Sequence, residues 1–93
     1  MSDIETAELE EIAIINDIAF DTRVILFNDN THSLDEVINQ IIKAINCNYN
    51  KAEQIATEAH TKGKAVVYNG DLLQCLRVSS VLEEINLHTQ IEC

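Results

Sequence analysis

Arg23-Val24-Ile25-Leu26-Phe27-Asn28-Asp29-Asn30-Thr31-His32-Ser33-Leu34-Asp35-Glu36-Val37-Ile38 is the stretch in which the hydrophobic pattern changes its period. Val24 to Phe27 is an unbroken apolar run that stops at Asn28-Asp29-Asn30, a cluster of turn formers, so it reads as a buried strand entering a loop. Ser33 with Glu36 three residues later matches a capping box, in which hydroxyl and carboxylate satisfy the first free backbone amides of a helix. Leu34, Val37, Ile38, Ile41, Ile42 and Ile45 then recur at helical spacing and give that helix one apolar face.

Further along, Asn46 to Tyr49 breaks the pattern, and Asn50 with Glu53 predicts the cap of a second helix running through Ala52, Ile55, Ala56, Ala59 and His60. Gly63 closes it, since a glycine just past a helix can adopt the left-handed conformation that satisfies terminal carbonyls, and Lys62 suits the negative helix end. Lys64 to Tyr68 reads as a second strand. Asn69-Gly70 is a tight-turn signal, yet Leu72, Leu73, Leu76, Val78, Val81, Leu82 and Ile85 fit helical spacing better than alternation. Asp71 is the natural cap of that third helix, and His88 to Glu92 reads as a closing strand. The order β-α-α-β-α-β predicts an α+β domain, with three helices on one face of a small, three-stranded, mostly antiparallel sheet.

Upstream, residues 1 to 20 mix aliphatic residues with Asp3, Glu5, Glu8, Glu10, Glu11 and Asp17 and hold no Lys or Arg. We expect an acidic N-terminal extension over 1–20, open to disorder, and one folded domain over 21–93. The 93 residues leave room for one core. With 16 acidic against 6 basic residues and a formal net charge of −10, the chain is repelled by phosphate backbones and anionic lipid, which argues against nucleic acid and membrane partners. No apolar run approaches the ~20 residues that span a bilayer, and the N-terminus does not read as a secretory signal, so a cytoplasmic location is expected. Cys47, Cys75 and Cys93 are odd in number and widely spaced, which favours free thiols over a disulfide framework.

No nucleophile elbow, glycine-rich phosphate loop or paired zinc-ligand spacing is present, so the reading is not of an enzyme. His32, His60 and His88 follow no standard metal-ligand spacing, and neither metal nor cofactor is implied. Asn28-Asp29 has the most chemical potential, because a carboxylate and an amide at a strand end can be aimed at a ligand; by itself the pair reads as an ordinary Asx turn.

Phe27-Asn28-Asp29-Asn30, Leu34 and Val37, Ala52-Glu53-Gln54-Ile55, Ala59-His60 and Lys62-Gly63-Lys64, in this order, resemble the Clp protease adaptor family (ClpS-like). The resemblance covers residues 23 to 70 well and the remainder loosely. It implies an adaptor that binds proteins with a free, large hydrophobic N-terminal residue and delivers them to the N-terminal domain of a Clp AAA+ unfoldase for proteolysis. Carried onto this chain, Asn28, Asp29 and His60 would hold the α-ammonium and first peptide group, and Leu34, Val37, Ala56 and Ala59 would line the side-chain pocket. Asn30, Leu34 and Ala56 stand where many members carry Asp, Met and Met. Arg77 is the expected unfoldase contact, with Asp71 in place of an acidic residue at Leu72. The alternative is a regulator that binds the unfoldase without degron capture.

Overall fold

The computed structural model describes residues 21–93, and the acidic extension expected at 1–20 lies outside the described residues. The elements run β1 (Thr22–Phe27), α1 (Leu34–Ile45), α2 (Tyr49–Lys62), β2 (Lys64–Gly70), α3 (Leu72–Glu83) and β3 (Thr89–Glu92), the expected α+β order. The sheet order is β2-β1-β3 with both pairings antiparallel. β1 is therefore central and hydrogen-bonded along both edges, and its unbroken apolar character follows: Val24 and Leu26 enter the core, and Ile25 on the other face is buried too.

Each helix begins where a side chain can absorb its free amides. At α1 the capping box forms as expected: Ser33 Oγ accepts from the Glu36 amide at 3.2 Å and Glu36 Oε1 accepts from the Ser33 amide at 3.1 Å. The next cap differs from the sequence expectation. Asn48, not Asn50, caps α2, with its Oδ1 accepting from the Lys51 amide at 2.8 Å. Asn46 takes a left-handed conformation (φ 54°) directly after α1, so the chain has already reversed by Asn48 and Asn50 falls inside the first turn. At α3, Asp71 is the cap as expected, accepting from the Gln74 amide at 2.9 Å.

The apolar stripe of α3 also departs from expectation. Cys75, Val78, Ser79 and Leu82 are its buried face, whereas Leu73 is 77% exposed and Leu76 46% exposed. The predicted stripe merged two faces of one helix, because leucines populate both. α3 stops at Glu83, before Ile85; Asn86 turns the chain in a left-handed conformation (φ 64°), and Leu87 drops into the core. Asn69-Gly70 makes no hairpin. It ends β2 opposite Arg23 and Thr22, and a Cβ on Gly70 would stand 2.7 Å from the Tyr68 hydroxyl, so a larger residue there requires the Tyr68 side chain to shift.

Gly63 ends α2 at φ 90°, with its amide donating to Ala59 O at 2.9 Å. No atom lies within 4 Å of a Cβ built there, so a substitution is resisted by backbone conformation and not by crowding. Gly63→Ala is expected to cost about 1–2 kcal/mol, and Gly63→Asn less, because asparagine tolerates this region; thermal melts of the two variants check the order.

Candidate functional site

β1 leaves the sheet at a point fixed from both sides. The Phe27 amide donates to His88 O at 3.0 Å, and the Asn28 amide donates to Gly63 O at 2.9 Å. The second bond couples the Asn28-Asp29 loop to the end of α2, the turn that carries His60. Between these segments and the start of α1 lies a pocket of about 220 Å³ lined by Leu26, Phe27, Asn28, Asp29, Asn30, His32, Leu34, Val37, Ala56, Ala59, His60 and Leu87.

All seven residues that the family resemblance assigned to ligand binding line this one pocket: Asn28, Asp29, His60, Leu34, Val37, Ala56 and Ala59. The lining combines polar and apolar side chains. Val37, Ala56, Ala59 and Leu87 are buried, while Leu34 is half exposed at the rim. Asn28 donates its side-chain amide to Asn30 Oδ1 at 3.2 Å, which leaves its own Oδ1 as an acceptor. His60 is exposed, and its ring makes no hydrogen bond among the described residues.

Asp29 is the most engaged group. Its Oδ1 accepts from the Thr31 amide at 2.6 Å, the Thr31 hydroxyl at 2.6 Å and the His32 amide at 3.3 Å, and Oδ2 lies 2.9 Å from His32 Nδ1. The Asx turn and the pocket carboxylate are therefore the same residue: the turn fixes the side chain that faces the cavity. Hydrogen bonds from the Thr31 hydroxyl and amide, with a smaller contribution from His32, hold its pKa down from 3.8 to about 2. An anion is thus present at the pocket throughout the neutral range.

Sequence reasoning did not single out His32 or Leu87 for this pocket. His32 was weighed only as a metal ligand, although a histidine three residues after an Asx-turn aspartate is within reach of its carboxylate. Leu87 comes from the far end of the chain, and its one local signal was an isolated apolar residue after α3. Among the described residues no group of three His, Cys, Asp or Glu side chains is placed to hold a metal ion, and no helix is long and apolar enough to cross a membrane. Away from the pocket, Asp71 is occupied as the α3 cap, and Arg77 donates from Nη2 to Ala44 O and from Nε to Gln74 Oε1, both at 3.0 Å.

The family model described as ATP-dependent Clp protease adaptor protein ClpS matches residues 20–90. The E3 ubiquitin-protein ligase UBR2 of Homo sapiens is 37% identical over 57 residues and that of Mus musculus 35% identical over 57 residues, each over 61% of this chain. The chain spans only 3% of the length of these relatives. Agrobacterium tumefaciens ClpS2, solved bound to L-phenylalaninamide, shares the fold with a TM-score of 0.74 at 16% identity, over 81% of this chain and 98% of that one.

The Asp29 shift has a measurable consequence. Because its pKa is lower folded than unfolded, the carboxylate stabilises the loop above 3.8, and that contribution is lost as pH falls through about 2. Thr31→Val removes the hydroxyl donor and keeps the amide. An NMR titration of the Asp29 carboxyl is expected to show a midpoint near 2 in the parent and one about a unit higher in the variant.

Proposed function

The chain belongs to the ClpS family of ATP-dependent Clp protease adaptor proteins, and on that premise we propose that its pocket captures proteins by a free N-terminus with a large hydrophobic first residue and passes them to a Clp AAA+ unfoldase. One observation carries the reading. Asn28, Asp29 and His60, three side chains able to accept hydrogen bonds, line the same pocket as the apolar Leu34, Val37, Ala56, Ala59 and Leu87.

A free α-ammonium is a charged donor with three hydrogens, and a carboxylate, an amide oxygen and a neutral imidazole nitrogen are the groups that accept them. The first side chain then enters the apolar part, where burying a Leu or Phe is worth about 1.5–3 kcal/mol and a polar side chain would be stranded without partners. L-phenylalaninamide, the ligand of the Agrobacterium neighbour, has the same three parts: an amine, a large apolar side chain and an amide in place of the next peptide bond. Ala56 is a small wall, so the pocket is suited to aromatic as well as branched first residues. The function requires no bond making or breaking, in keeping with an adaptor.

For delivery, Arg77 on α3 and Asp71, the cap of that helix, are the proposed contacts with the N-terminal domain of the unfoldase. The exposed Leu73 and Leu76 on the same helix add apolar area to that surface. A second reading, a regulator that occupies the unfoldase without degron capture, draws support from the Asp29 carboxylate already accepting four contacts from its own loop.

Fluorescence anisotropy separates the two. Peptides beginning with Phe, Leu, Tyr or Trp are expected to bind with micromolar affinity, about −8 kcal/mol, and those beginning with Ala or Arg much more weakly. N-terminal acetylation is expected to abolish binding. Asp29→Ala should weaken it roughly 10- to 100-fold, the range for losing a hydrogen bond to a charged group. Failure of every free N-terminus to bind, with the unfoldase still bound, would decide for the regulator.

A further inference from the structure

The two oxygens of Asp29 are not equivalent. Oδ1 faces three donors, from Thr31 N, Thr31 Oγ1 and His32 N, which exceeds its two lone pairs. Oδ2 has one partner, His32 Nδ1 at 2.9 Å, and keeps a lone pair. An ammonium arriving in the pocket therefore meets Asp29 through the oxygen that His32 holds. Asp29 and His32 both line the pocket, with side chains only 12% and 16% exposed, whereas Thr31 is not part of the lining.

The same contacts settle where the imidazole hydrogen sits. Nδ1 lies 2.9 Å from Asp29 Oδ2 and 3.1 Å from Thr31 Oγ1. The Thr31 hydroxyl spends its hydrogen on Asp29 Oδ1, so it too can only accept from the ring. Nδ1 carries the hydrogen, and in the neutral ring Nε2 is a lone pair.

We infer that His32 is a positioning residue for N-terminal recognition, holding Asp29 Oδ2 in place while neutral and weakening ammonium binding when it takes a second proton. A neutral ring fixes the carboxylate and leaves its charge for the ligand. An imidazolium cancels that charge and places a cation beside the incoming one. The inference rests on the degron-binding reading of the pocket. The titratable and charged groups around the ring are Asp29 on its own loop, Glu36 in the first turn of α1 and His60 in the last turn of α2; His88 lies beyond Phe27, its imidazole tilted against the Phe27 ring with centroids 4.9 Å apart. His60 would act with the same sign as His32, so the two must be separated by substitution. The ligand's own amine acts oppositely, because it becomes more fully protonated as pH falls.

The test is the affinity of a Phe-initiated peptide for the full chain from pH 7 to pH 5.5, for the parent, His32→Ala and His32→Asn. Asparagine keeps an N–H donor near the Nδ1 position and does not titrate. The parent is expected to lose affinity at least about 5-fold over this range, and His32→Asn less than half of that on a logarithmic scale, the remainder being due to His60. At pH 7, His32→Ala should bind about 5- to 10-fold more weakly than the parent, with His32→Asn within about 3-fold of it. Equal affinity of His32→Ala and the parent at pH 7, or identical pH profiles for the parent and His32→Asn, overturns the inference and leaves degron binding standing. A parent that binds no free N-terminus at any pH overturns the degron reading itself, and the role given to His32 falls with it.

Discussion

The amides of Phe27 and Asn28 donate in opposite directions, to His88 O and to Gly63 O. These two bonds position nearly everything of consequence. They clamp the last residues of the central strand between the segment entering β3 and the segment leaving α2. Gly63 offers its carbonyl to Asn28 only because it leaves α2 in the left-handed conformation, so the termination of one helix sets the height of a loop that is 35 residues away in sequence. The His60 ring, three residues earlier in the same turn, is carried to the pocket by that bond. On the other side, His88 brings Leu87 under the pocket floor.

Fixed dipoles act at the same place. Asp29 lies just before the start of α1, where the helix dipole favours an anion, and His60 lies in the last turn of α2. The pocket therefore carries a stabilised negative charge.

Much of this was legible in the residues, for reasons that differ by element. Central position in the sheet forces continuous apolar character, so Val24 to Phe27 announced β1, and local hydrogen-bond chemistry announced the Ser33 box, Gly63 and the Asp71 cap. Asn48 was hidden because two asparagines two positions apart are equally good caps, and only the left-handed Asn46 decides between them. Leu73 and Leu76 misled because α3 has leucines on two faces, one of them turned to solvent. Within the site, Asn28 and Asp29 stood out as a carboxylate and an amide at a strand end, but their ligand role, and that of His60, came from the family resemblance. Leu87 enters the pocket by long-range packing that no local pattern encodes. The bond between His32 and Asp29 depends on loop geometry that residue spacing permits but does not require.

One wall of the pocket is built from alanines, with Ala56 and Ala59 facing the cavity and Ala52 continuing the same buried row. Small side chains let a helix approach the sheet closely, and beside the cavity they also leave volume unfilled that a leucine would occupy. Unfilled volume is a standing loss of dispersion contact. Selection on folding alone would close it, since cavity-filling substitutions are a common route to greater stability. Such a row is thus a place where thermostability and binding are set against each other. A library screened only for heat resistance would be drawn to these positions and would return hardier proteins whose cavity has closed.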